Sequence, residues 1–223
     1  MDVLAILPPL LKTNILPSEL YCLEQVLEGK EANFFSFSGN FAKPTQTMSY
    51  PTEATEQNIL RPEFLEWLLT SRALRGQIAP RGIFIRGAYI NGELNLEGAQ
   101  VWHRLFLRQC YLEGIFNLTE ARCQTIHLVG CYGDGIQGEY LRVRGSFEVK
   151  RSILPGGINL LGAVISGNFT ASGAKLGNGQ SYALLLSRAH IQGAVFLDQN
   201  FESRGDVRMV GTSVGLSVSF ITA

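Results

Sequence analysis

The sequence has no excess charge of either sign: 19 Lys and Arg offset 19 Asp and Glu over 223 residues. That excludes a nucleic-acid binder working by bulk positive charge, and equally a strongly acidic chain that imitates DNA. Charged residues are scarce at 17%, while 46% are hydrophobic, so the chain is not of the disordered class. No stretch approaches the roughly 18 consecutive apolar residues that a membrane-spanning helix needs. The N-terminus, MDVLAILPPLLKTNIL, has Asp2 where a secretory signal wants basic residues, and Pro8 and Pro9 interrupt its short apolar run. The four cysteines, Cys22, Cys110, Cys123 and Cys131, show no CxxC spacing, which argues against a zinc site. A P-loop, a GxSxG elbow and a GxGxxG opening a helix are all missing. These absences predict a soluble, cytoplasmic protein with no cofactor, no metal, no nucleic-acid partner and no direct membrane insertion.

What is plentiful is glycine, at 24 residues, and it falls into a rhythm. Residues 83–223 repeat with a period of 11. A small residue opens each unit: Ala88, Ala99, Cys110 and Ala121, then Cys131, Ser152, Ala163, Ala174, Ala189 and Thr212. Two positions on stand Ile90, Val101, Leu112 and Cys123. Six and eight positions on stand the pairs Leu94 and Leu96, Leu105 and Leu107, Phe116 and Leu118. The phase blurs at YGDGIQGEY (132–140), and a four-residue insertion near 177–180 reads as a loop.

This period is far from 3.6, and glycine recurs where a helix would not tolerate it. Apolar residues two apart predict short strands with both apolar side chains pointing inward, separated by corners. The predicted fold is an all-β solenoid in which each coil buries its apolar side only by stacking on the next. Outward positions alternate by unit: Tyr89, Tyr111 and Tyr132 in one set, Gln100, Arg122 and Arg142 in the other. Like residues stack in successive coils, so the alternation predicts two units per coil: four sides and about 22 residues. About six coils at roughly 4.8 Å each give a rod near 29 Å long.

The Ala-x-Ile…Leu-x-Leu-x-Gly-Ala pattern resembles the pentapeptide-repeat proteins, which implies a right-handed parallel four-sided β-helix. ILRPEFLEWLLT (59–70), GIFIRGAYINGELNLEGAQV (82–101) and GEYLRVRGSFEV (138–149) resemble long bacterial relatives of that class. Those relatives are often labelled membrane-associated oxidoreductase, which would imply redox chemistry. No flavin, haem or nicotinamide signature accompanies the resemblance here.

Residues 1–80 are expected to form an N-terminal helical cap with a loop, and 81–223 the β-helix. Helices are predicted at 17–29, with Ser18 as N-cap, and at 62–75, with Pro62 in the first turn. They would cover the first coil, whose edge would otherwise invite strand pairing. Residues 31–58, with Phe34, Phe35, Phe37 and Phe41, read as a strand or extended arm followed by a loop. Ala223 is in phase with the repeat, so either the solenoid continues in a longer chain or two copies meet end to end as a homodimer through the C-terminal coil.

Cys110, Cys123 and Cys131 fall in inward columns and read as packing residues. His103, His127 and His190 fall on different sides and read as surface residues unable to share a metal. Glu93, Glu97, Glu113, Asp134, Glu148, Asp198 and Asp206 fall at outward or corner positions. No catalytic residue is assigned. Tyr89, Tyr111 and Tyr132 form an outward column with two readings: a partner-binding face, or a ladder that only stabilises stacking. The expected function is a non-catalytic scaffold for an unidentified protein partner. The alternatives are a topoisomerase-binding DNA mimic, as the resemblance implies, an oxidoreductase, or a glycan-active enzyme.

Overall fold

The computed structural model describes residues 3–37 and 50–220. The eleven-residue rhythm builds a parallel β-solenoid of about six turns with ~22 residues per coil. The first side stacks Ile83–Arg86, Leu105–Arg108, Ile126–Val129, Phe147–Glu148, Phe169–Thr170, Val195–Phe196 and Val218–Ser219, each parallel to the next. The second side runs from Tyr89–Ile90 through the starts of Tyr111–Asn117 and Tyr132–Gln137 to Ile153–Leu154, Lys175–Leu176 and Glu202–Ser203. The third begins at Leu94–Asn95 and continues through the ends of those two longer strands. It finishes on Ile158–Asn159, Tyr182–Leu185 and Asp206–Arg208. The fourth stacks Arg122–Cys123, Arg142–Val143, Val164–Ile165, His190–Ile191 and Ser213–Val214, with Gln100 bridged to Arg122 below them.

The inward columns are those the period predicts. Leu94, Leu96, Leu105, Leu107, Phe116 and Leu118 are each no more than 2% exposed. Fully burying such a side chain contributes roughly 1.5–3 kcal/mol, and here burial requires the neighbouring coil to be present. The 177–180 insertion bulges outward, and Phe169 still pairs with Val195 across it. The blurred stretch has a packing cause. Gly133 and Gly138 occupy inward slots that hold bulkier side chains in other coils. A Cβ on Gly138 would come within 2.8 Å of Leu160 Cδ2, and one on Gly133 within 3.2 Å of Leu112 Cβ. Neighbouring leucines fill that space, while Ile136 keeps the apolar column closed at 0% exposure.

One corner recurs with a fixed backbone. The residue before each small inward residue has positive φ, whether it is glycine (Gly87 +72°, Gly98 +64°, Gly162 +66°) or not (Glu120 +57°, Arg151 +52°, Arg188 +59°). This conformation turns the chain within one residue, and the small side chain that follows fits inside the bend. Glycine adopts it freely; other residues pay a steric cost.

Two longer helices, two single-turn helices (Pro9–Lys12 and Phe34–Phe37) and two short strands lie before the first full coil. Helix α1 spans Pro17–Leu27 and α2 spans Pro62–Thr70. Between them, Glu31–Asn33 pairs with Phe84–Arg86 and Ile59–Leu60 pairs with Tyr89–Ile90, so the first and second sides each gain a strand. Phe34 is buried, with Tyr21 edge-on at 5.5 Å, and Phe37 stacks on Tyr21 at 4.2 Å. Phe35 lies over Gly87. Phe41 and Ala223 fall outside the described residues.

Three details differ from expectation. After the strand Glu31–Asn33 the chain makes a helical turn at Phe34–Phe37 instead of running on as an extended arm. Helix α1 follows Leu16, and Ser18 lies inside its first turn, fully buried, donating its hydroxyl to Ile59 O at 2.6 Å. The capping carboxylate belongs to Glu19, which accepts from Leu16 N at 3.1 Å. Helix α2 ends at Thr70 rather than near 75, because the chain turns there to bury Leu74. On the last described coil, Val210, Leu216 and Phe220 are 75%, 75% and 57% exposed.

Glu19 is 0% exposed and takes Arg61 Nε at 2.7 Å and Nη2 at 2.6 Å, tying α1 to the chain entering α2. Removing one partner of a buried pair strands the other, so Glu19→Ala is expected to cost about 3 kcal/mol, read by denaturant unfolding. Arg188→Gly relieves a left-handed corner worth about 1–2 kcal/mol against an entropic cost of roughly 0.5–1. A small rise in the denaturation midpoint is the expected result.

Candidate functional site

Parallel stacking converts each outward column into a row of side chains about 4.8 Å apart, and the rows differ in what they can do. On the second side Tyr89, Tyr111 and Tyr132 are direct register partners. Their rings stack, Tyr89 on Tyr111 at 4.8 Å and 13°, Tyr111 on Tyr132 at 5.0 Å and 10°. Tyr50, from the segment leading to α2, leans on the row 6.0 Å from Tyr111 and 5.4 Å from Tyr132. Ring faces are thus spent on one another. Tyr89 is only 9% exposed, while Tyr111 and Tyr132 are half-buried. Burial raises the phenol pKa of Tyr89, with the Glu113 carboxylate adding to it. Burial raises Tyr111 and Tyr50 as well, Tyr132 adding to each. The row passes to Ile153 and ends in the Lys175–Glu202 ion pair at 2.8 Å.

The first side carries a second aromatic stack, Phe84 on Phe106 at 4.2 Å and 3°, with His127 edge-on to Phe106 at 4.8 Å. His127 Nε2 lies 3.5 Å from Glu148, which also holds Lys150 at 2.7 Å. Burial lowers the His127 pKa, Glu148 pulling the other way. On the third side the asparagine column is structural. Asn95, Asn117 and Asn159 each accept the backbone N–H two residues on, closing the corner.

The three histidines fall at different positions of the coil, as expected, but His103 is not a surface residue: it is 7% exposed. The corner after Val101 is covered because Trp102 bonds to Thr70 O through Nε1 at 2.9 Å and lies under the Arg75 guanidinium at 4.6 Å. Burial lowers the His103 pKa, with Arg75 adding to the effect. Among the described residues no group of His, Cys, Asp or Glu could hold a metal ion. Glu93, Glu97, Glu113, Asp134 and Asp206 are exposed, and Glu148 and Asp198 half-buried. Glu93, Glu113 and Asp134 share one exposed corner on successive coils, just after the tyrosine row, while the others lie elsewhere along the rod. No described helix is long and apolar enough to cross a membrane.

All four cysteines are buried and free. Cys110 and Cys131 occupy the small inward column, and the Cys131 Sγ–H donates to Leu107 O at 3.4 Å. Cys22 sits in the buried side of α1, within electrostatic reach of Cys110. Burial pushes the Cys22 and Cys131 thiols up, and Cys123 up to about 12.

One feature escaped sequence reading: Tyr50 joins the tyrosine row from a segment without periodicity. The fourth side places Arg122 directly beside Arg142 and Gln100 beside Arg122, as the alternation of outward residues predicts. Comparison with protein-family models, curated proteins and solved structures finds no match.

Burial raises Cys110 as well, but the Cys131 thiol and backbone N–H groups outweigh it and shift this thiol down, while burial keeps reagents from all four. A thiol-specific chromogenic reagent at pH 8 should titrate none of the four in the native protein and all four after denaturation. Rapid reaction of any native thiol would contradict the packing role.

Proposed function

We propose that the chain is a non-catalytic scaffold whose solenoid presents a rigid side to a protein partner, with the tyrosine row as the contact. The observation that carries this reading is the row itself. Stacking holds Tyr111 and Tyr132 in place, so the part of each that stays exposed offers contact with little rotamer entropy left to lose. Tyr50 widens the aromatic surface without adding a flexible long side chain. The likeness of the repeats to pentapeptide-repeat proteins and their long bacterial relatives supports a stacked rod, and function rests on the side rather than on that likeness.

The DNA-mimic alternative asks for a strongly negative rod. Balanced charge and an arginine pair on the fourth side speak against it. The redox and glycan-cleaving alternatives each need a cofactor cradle or carboxylates converging on a cleft, whereas Glu93, Glu113 and Asp134 line an exposed corner of successive coils.

A photo-cross-linking residue at position 111 or 132 should trap one protein species in cells, and the same residue at Ser166, on another side, should not. The trapped partner, once purified, should bind Tyr111→Ala/Tyr132→Ala at least tenfold more weakly. Loss of the ring stacks costs roughly 1–3 kcal/mol of stability, which circular dichroism would register without loss of β signal. Equal affinity of the double variant removes the tyrosine side from consideration.

A further inference from the structure

The fourth side holds a charge arrangement that the solenoid does not need. Arg122 and Arg142 are direct partners on adjacent parallel strands, about 4.8 Å apart. Arg144 follows two residues after Arg142 and so projects from the same side of the strand. Like charges placed opposite each other weaken a sheet. Several such charges elsewhere are answered: Lys150 by Glu148, Lys175 by Glu202 and Arg208 by Asp206, and in the other arginine register pair, Arg86 with Arg108, Arg108 reaches Glu31 and Arg86 donates to Gln109 Oε1. Among the described residues no carboxylate lies within ion-pair distance of Arg122, Arg142 or Arg144, not even Glu120 at the corner before Arg122. All three arginines are exposed.

They also share a concavity. A groove of about 250 Å³ runs between them, rimmed by Gln100, Val164 and Ser166. Gln100 is committed to the frame, its amide donating to Arg122 O at 3.1 Å. The exposed Ser166 hydroxyl stands at the opposite rim, one coil further along. Three guanidinium groups on neighbouring rungs, with a hydroxyl beside them, form a donor set for a tetrahedral oxyanion. Guanidinium matches phosphate through two parallel N–H bonds, and a dianion answers the mutual repulsion of the arginines better than a single carboxylate. The volume is that of a small ligand, not of a polymer track.

We propose that this groove binds a phosphate dianion, free or as the monoester of a small molecule. The site is separate from the tyrosine row and does not depend on it. The test is calorimetric titration with inorganic phosphate and with glycerol 3-phosphate at constant ionic strength near pH 7.5, with acetate and chloride as controls. Saturable binding is expected, weakened at least tenfold in Arg122→Gln and in Arg142→Gln and unchanged in Arg208→Gln on the third side. Stronger binding of the monoester assigns the ester as ligand, and stronger binding of phosphate assigns the free ion. A second measurement separates binding from mere screening. In phosphate-free buffer of low ionic strength, Arg142→Gln should melt above the unsubstituted protein, and added phosphate should close the gap by stabilising only the latter. Non-saturable heats, equal binding by the arginine variants, or an equal response to acetate and chloride would overturn the proposal.

Discussion

The structure depends on one constraint: an inward layer of aliphatic side chains that no single coil can hide. Leu96 and Leu107 are shielded only because further coils lie on either side of them. Stacking satisfies the backbone at the same time, since each strand donates and accepts across parallel rungs. Apolar burial and hydrogen bonding therefore demand the same geometry, and the chain has little freedom to choose another. The inside of the rod is a continuation of the core between the helices, where Phe64, Leu65 and Leu68 meet it without a break.

The same stacking dictates the outside. A residue type that recurs once per coil becomes a row, and the row is favourable or costly according to its chemistry. Tyrosine and phenylalanine rings gain by stacking, as Tyr111 on Tyr132 and Phe84 on Phe106 do. Asparagine gains by closing each corner. Arginine loses, and Arg122 beside Arg142, unlike the register pair Arg86 and Arg108, has no carboxylate at hand to offset the loss. Losses of this kind mark where a fold has been bent to a use.

A surface organised in rows also shapes what the protein can do. Its sides are long and flat, and titratable groups are spaced by the coil rather than gathered into a deep pocket. Recognition through repeated side chains suits such a surface better than chemistry that needs several groups to converge on one atom. The tyrosine row and the arginine groove lie on different sides of the rod, so occupation of one leaves the other open.

Much of this was legible in the sequence. The period of small and aliphatic residues placed Leu94, Leu105 and Phe116 inside and assigned Cys110 and Cys131 to packing, and the alternation of outward residues set the coil at two units and paired the tyrosines. Periodicity can do this because inside and outside alternate locally along a strand. It could not reveal that Glu19 meets Arg61, that Ser18 anchors to Ile59, that Trp102 and its neighbours bury His103, or that Tyr50 leans on the tyrosine row. Each of these joins segments without repeats to distant parts of the chain, and their partners are chosen by where the closed cap happens to pass. Local pattern decided which way each side chain points; only the packed chain decided what, if anything, it meets there.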